Sequence, residues 1–259
     1  MADKTKIDWC DASWNPVTGC LHGCEYCYAR RIANRYGTKS KCHSYDGNVS
    51  FVGPHVLENP AIVSDTGRVS PYPFDFEPTL HRYRLDIPSR WQRPRTIFVC
   101  SMADMFGDWV PDEWIQEVFE ACRKAPQHRY LFLTKNPDRY LKLNDSCKLP
   151  SDKNFWYGSS VTVPDDRCFA SPIHNTFLSI EPILSEFTNT NNLQFFLNWV
   201  IIGAETGNRK NKVIPEAKWI ARITETCDFY DIPVFMKSSI KDLMEEDFRQ
   251  EYPWEAKRK

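Results

Sequence analysis

Cys20, Cys24 and Cys27 stand in the run Cys-Leu-His-Gly-Cys-Glu-Tyr-Cys, separated by four and then three positions. Thiolates at such spacing are soft ligands, and they suit zinc and iron–sulfur clusters alike. Gly19 and Gly23 let the backbone turn tightly enough for three sulfurs to converge. A closed structural zinc site needs a fourth ligand. Cys10, His22, Cys42 and His43 are the nearest candidates, and none belongs to a second paired knuckle. Three cysteines without a partner pair fit a 4Fe-4S cluster with one iron left open. The alternative is a zinc-stabilised, non-catalytic nucleic-acid-binding module.

The elements that must position such a site alternate between apolar β-type runs and helical stretches, the pattern of parallel strands joined by crossover helices. Residues 96–101, 129–134, 155–161, 176–180, 199–203 and 234–237 read as strands. Residues 27–36, 111–124 and 215–230 read as helices. Polar groups stand just past the strands: Asp104, Lys135, Glu181, Glu205 and Lys237. In parallel α/β folds ligands bind at the carboxyl ends of the strands, so these residues are candidates for one shared site on a partial barrel. Asp104 is framed by Met102, Met105 and Phe106, a setting in which a carboxylate needs a partner. Lys135 and Lys237 suit a carboxylate or phosphate, and solvated strand-end lysines are the plain alternative. Pro182 restricts the backbone of Glu181. Ser159 and Ser160 offer hydroxyls at a strand end, where serines also serve turns.

Residues 81–95 carry Arg82, Arg84, Arg90, Arg93 and Arg95 against the single acid Asp86, with Tyr83 and Trp91 interleaved. Arg30, Arg31 and Arg35 add charge nearby in sequence. Arginine with aromatics is the composition of a nucleic-acid contact, here with Arg82, Arg84, Arg90, Trp91, Arg93 and Arg95 as candidates. A connector whose arginines pair with local acids would have the same composition.

The 259 residues hold 33 basic and 34 acidic side chains, a formal net charge of −1, so no global field draws the chain to polyanions. Any such site must be a local patch. The sequence has no apolar run long enough for a membrane span, and its first residues lack a signal-peptide pattern. A cytoplasmic setting with reduced thiols is expected, and the other seven cysteines read mostly as small buried hydrophobes. Residues 38–95 fit the strand–helix rhythm poorly, and read as a loop-rich insertion over the barrel top of a single domain, 1–259.

The cysteine spacing, with Tyr26 just before the last cysteine, resembles the signature of the radical S-adenosylmethionine (SAM) superfamily. The resemblance implies an α/β fold, a partial (β/α) barrel with the cluster after its first strand. Its open iron would chelate the amino and carboxylate groups of SAM. Reduction by a donor such as flavodoxin would cleave SAM to a 5′-deoxyadenosyl radical that takes hydrogen from the substrate. Tyr26, Ser101, Ser160, Gly203 and Glu205 are the cofactor-binding positions this implies, with Gly203 beside adenine. Asp104, Lys135, Glu181 and Lys237 are left for substrate.

A narrower resemblance rests on Trp14-Asn-Pro-Val-Thr-Gly, Arg90-Trp-Gln-Arg-Pro-Arg, Ser101-Met-Ala-Asp-Met-Phe, Leu133-Thr-Lys, Ser179-Ile-Glu-Pro and Ile202-Gly-Ala-Glu-Thr-Gly in that order. It is similar to a phage- and prophage-encoded branch of the superfamily. The usual run of small residues and an acid after the second strand is replaced here by Ser101-Met-Ala-Asp104. The branch implies hypermodification of phage DNA, including the Cα-glycyl-thymidine synthase reaction, an isomerisation that moves a glycyl group on thymine from nitrogen to carbon. DNA or a modified nucleotide is then the expected substrate; tRNA, nucleoside or peptide are alternatives.

Overall fold

The computed structural model describes residues 5–37, 53–63, 66–193 and 196–255. The chain divides into two compact units, Met1–Thr5 with Cys10–Tyr130, and Lys6–Trp9 with Leu131–Lys259.

In the first unit β1 (Ala12–Trp14) is followed by β2 (Val17–Thr18), α1 (Tyr28–Tyr36), β3 (His55–Leu57), β4 (Thr79–His81), α2 (Ile87–Arg90), β5 (Thr96–Val99) and α3 (Asp112–Arg123). β1 and β5 pair in parallel, Ala12 opposite Ile97 and Trp14 opposite Val99. All seven of their residues are buried, the pattern of a sheet covered on both faces. β5 stops two residues before its expected end because Cys100 takes a φ of +61° and turns the chain. α3 buries Trp114, Ile115, Val118, Phe119 and Cys122, with Asp112 and Glu113 in its first turn and Arg123 in its last, the polarity its dipole favours.

Of the segment 38–95, residues 38–52, 64 and 65 lie outside the described residues. Much of the remainder is ordered around a small sheet in which β4 pairs antiparallel with β2 and parallel with β3. His81 Nε2 meets Thr18 Oγ1 at 2.9 Å across that sheet.

β6 (Arg129–Thr134) begins in the first unit and continues into the second, which goes on through α4 (Asp138–Asp145), β7 (Phe155–Val161), β8 (Asn175–Ile180), β9 (Trp199–Ile202), α5 (Ala217–Phe229), β10 (Val234–Met236) and α6 (Lys241–Met244). β7, β8, β9 and β10 pair in parallel in that order, with Val161 opposite Ile180, Ile180 opposite Ile202, and Ile202 opposite Met236. The four strand ends therefore come level. Leu178, Ile180, Val200, Ile202, Val234 and Met236 pack against Ile220, Ile223 and Cys227 of α5 in an apolar core. Trp9 sets its ring edge-on to Trp199 at 6.4 Å. The seven strands of the larger sheet follow the order β1-β5-β6-β7-β8-β9-β10, the α/β partial barrel expected from the sequence. No helix of the described residues is long and apolar enough to cross a membrane.

Candidate metal centre and strand-end charges

The cysteine loop leaves β2 through Gly19, whose φ is +88°. A Cβ there would stand 2.2 Å from the Glu77 carbonyl oxygen, so glycine is needed for both conformation and space. Gly19 N–H donates to Met102 O at 3.0 Å, and Cys20 N–H to Phe76 O at 3.2 Å. Cys27 ends the loop and caps α1: its Sγ accepts from Arg30 N–H at 3.3 Å. Cys27 N–H reaches back to Cys24 O at 3.2 Å. The Arg30 guanidinium donates to Cys20 O at 3.2 Å and lies 5.0 Å from the centre of the Phe76 ring.

Cys20, Cys24 and Cys27 are all half-buried free thiols. Burial pushes the Cys20 thiol up to about 12, and the nearby charges of Asp104, Cys24 and Cys27 push the same way. Thiolates that converge from one loop repel one another, and a bound cation relieves that repulsion. The donor set therefore fits an iron–sulfur cluster or a soft metal ion. Among the described residues no three His, Cys, Asp or Glu side chains are already closed into a metal-ligand geometry.

Asp104 is buried and has the partner its setting demands. Its Oδ2 is 2.7 Å from His22 Nε2, and its Oδ1 accepts from Phe106 N–H at 3.0 Å. His22 lies between the first two cysteines, with its ring edge-on to Trp109 at 4.8 Å. Ser101 donates from Oγ to Asn15 Oδ1 at 3.2 Å, while Met102 N–H donates to the same oxygen at 2.9 Å. Tyr28 OH donates to Ser101 O at 2.6 Å. Tyr26 is half-buried.

In the second unit Lys135 Nζ donates to Ser160 Oγ at 2.9 Å. Ser159 is buried and accepts from Phe169 N–H at 2.9 Å, a turn-holding role. Lys237 pairs with Glu181. Gly203 lies beneath that pair: a Cβ on it would stand 2.9 Å from Lys237 Cδ. Ser239 Oγ accepts from Ala204 N–H at 3.1 Å. Glu205 is buried and takes two hydrogen bonds of 2.7 Å from Arg209. That pairing holds its carboxyl below the usual range.

The arginine-rich segment is largely committed within the protein. Arg82 pairs with Glu117 and Glu58, which raises its pKa further. Arg84 is buried and donates to Asn15 O at 3.0 Å. Arg90 pairs with Asp86. Arg95 stacks 4.9 Å over Trp91, and Arg93 is exposed.

Sequence reasoning did not find Arg209, Asn15 or Ser239, and it weighed His22 only as a zinc ligand. Arg209 lies four residues after Glu205, but in a loop where that spacing announces nothing. Asn15 stands inside the Trp14-Asn-Pro-Val-Thr-Gly run, which was the available signal.

Fold and residues together define an α/β partial-barrel protein with a three-cysteine loop between β2 and α1. The chain belongs to the family described as Protein of unknown function (DUF5131), whose model matches residues 4–247. No curated protein matches it. Among solved structures it is similar to a cysteine-substituted spore photoproduct lyase with dinucleoside spore photoproduct, at a TM-score of 0.47 and 11% identity, covering 85% of this chain and 75% of that one. A second cysteine variant of the same lyase gives 0.47 and 11%, covering 92% and 81%.

Proposed function

We propose that the protein is a radical SAM enzyme that acts on a nucleic-acid base. The reading is carried by one observation: three half-buried cysteines on a single loop, hinged at Gly19 and closed where Cys27 caps α1. Cys20, Cys24 and Cys27 would hold a 4Fe-4S cluster with its fourth iron left for SAM. When bound and reduced by a donor such as flavodoxin, the cluster would supply the electron for reductive cleavage of SAM.

The chain's own residues set the conditions. Asp104 fastens His22 and with it the loop between the first two cysteines. Asn15 holds the Ser101–Met102 turn. Lys237 with Glu181, and Lys135 with Ser160, offer cationic and anionic groups suited to a ligand that carries both an ammonium and a carboxylate. A glycyl group on thymine is such a ligand, and its unactivated C–H bond is a target for radical chemistry. We therefore favour isomerisation of glycyl-thymine in DNA, on a flipped or single-stranded base.

Anaerobic reconstitution should give about four irons per chain and a broad absorbance at roughly 400 nm, lost in each of Cys20→Ala, Cys24→Ala and Cys27→Ala. The reduced protein should release 5′-deoxyadenosine from SAM. With DNA bearing glycyl-thymine it should yield an isomer of unchanged mass and shifted retention. Stoichiometric zinc in a colourless protein would overturn the reading in favour of a non-catalytic zinc module. Reaction of a free nucleoside, tRNA or peptide in place of DNA would overturn only the substrate.

A further inference from the structure

Of the arginines that composition pointed to, Arg82, Arg84 and Arg90 are spent on partners inside the protein and Arg95 lies over Trp91, which leaves Arg93 exposed. α1 presents a different set. At 100° per residue, Arg31, Arg35, Tyr28, Ile32 and Tyr36 fall in that order on one arc of about 140°, while Ala29 and Ala33 are the buried positions of the helix. All five are exposed, Tyr36 to 55% and Tyr28 to 44%. The helix carries three arginines and no acid. Arg30 is engaged with Cys20 O and Phe76. Among the described residues, neither Arg31 nor Arg35 has a hydrogen-bond or ion-pair partner.

We propose that this face of α1 is a docking surface for single-stranded nucleic acid, Arg31 and Arg35 neutralising phosphates and the Tyr36 and Tyr28 rings stacking bases. The proposal rests on the nucleic-acid reading given above, and it gives that reading an address on the molecule. Charge complementarity is its first ground: a local cationic patch on a chain whose net charge is −1. The second is the interleaving of cations with exposed rings over about 12 Å of helix, the combination that grips single strands without reading their sequence. An acidic redox partner would be served by the arginines alone and would leave the exposed Tyr36 ring unexplained. The face begins at Tyr28, the residue after Cys27, so a strand held there lies beside the cysteine loop.

The test is fluorescence anisotropy of a fluorescein-labelled single-stranded oligothymidylate, titrated with the full chain carrying its oxidised cluster, without SAM, over a series of salt concentrations. The wild type should bind, with log affinity falling linearly against log salt. Arg31→Gln with Arg35→Gln should make that slope shallower by about 1.4, since each phosphate contact on a single strand contributes about 0.7. Tyr36→Ala should weaken binding roughly 5- to 150-fold and leave the slope unchanged. All three side chains are exposed, and far-UV circular dichroism checks that the variants keep the fold.

Unaltered affinity and slope in both variants would overturn the proposal, as would a wild type that does not bind the oligonucleotide. It would also fall if the double arginine variant slowed reduction by flavodoxin while oligonucleotide binding stayed intact. No SAM is cleaved in this assay. Failure of SAM cleavage elsewhere would therefore end the radical reading and leave this result standing, and the reverse holds equally.

Discussion

Lys237 reaches Glu181 by lying across Gly203. The lysine follows β10, the carboxylate follows β8, and β9 runs between them and ends at Ile202, just before Gly203. Only a residue without a side chain lets the lysine stem cross, because a Cβ at 203 would come within 2.9 Å of Lys237 Cδ. An apolar strand followed by glycine thus serves a charge pair two strands wide.

Gly203→Ala should therefore disturb that pair. The lysine must shift, and overpacking of this kind costs about 1 kcal/mol. In a Lys237→Ala background the same substitution should cost almost nothing. Urea unfolding of the four proteins gives the coupling directly. A Gly203→Ala effect of equal size in both backgrounds would disprove the crossing.

The two glycines of the cysteine loop should behave differently. At Gly19 a side chain meets backbone, the Glu77 carbonyl at 2.2 Å, in addition to a left-handed φ. Neither partner can yield cheaply, and Gly19→Ala should cost more than about 3 kcal/mol and prevent iron loading. Gly23 also has a left-handed φ, but nothing lies within 4 Å of its Cβ position. Gly23→Ala should cost about 1–2 kcal/mol, the conformational penalty alone. Thermal unfolding and iron content separate the two.

That contrast shows where the sequence was legible. Cysteine spacing and flanking glycines marked the loop, because ligand chemistry needs those residue types in local order. Apolar runs gave the longer strands; 129–134 and 155–161 agree with β6 and β7 at both ends. The end of β5 was not legible, since the left-handed turn at Cys100 uses a residue with no turn preference. The small sheet of β2, β3 and β4 escaped because strands of two or three residues carry no period. α4, eight residues long, escaped for a similar reason. Composition could not say whether the arginines of 81–95 face a ligand or acids. Glu58 and Glu117, which take Arg82, stand 24 and 35 residues away. Pairings at that separation are set by the fold.

His22 and Asp104 are such a pair, 82 residues apart and 2.7 Å between Nε2 and Oδ2. Asp104→Ala should release the loop between Cys20 and Cys24 and leave the Phe106 N–H without its acceptor. Asp104→Asn keeps an oxygen for Phe106. Loss of an outer partner of this kind weakens metal retention roughly 10-fold or more. Iron release to a chelator, followed by the visible absorbance, should be fastest in Asp104→Ala and intermediate in Asp104→Asn. Equal rates in all three proteins would remove Asp104 from any role in holding the loop.

Glu205 and Arg209 give a pH dependence whose sign follows from the geometry. The Glu205 side chain is 3% exposed and that of Arg209 is 26%, so the pair is shielded from solvent. The guanidinium holds the folded-state carboxyl below its ordinary value of 4.5. A depressed carboxyl stabilises the fold fully above the unfolded value, and this contribution is lost as pH falls through the folded value, where the native carboxylate finally takes a proton. Arg209→Gln removes the cation and leaves a buried carboxylate with weaker hydrogen bonds, which should cost about 2 kcal/mol at neutral pH. Below pH 4.5 the unfolded chain becomes increasingly protonated at Glu205, and the advantage of the wild type should shrink. Urea unfolding of both proteins at pH 7 and at about pH 3 measures the two differences. A gap between wild type and variant that is the same at both values would mean that Arg209 acts through packing of its stem, with the charge of Glu205 uninvolved.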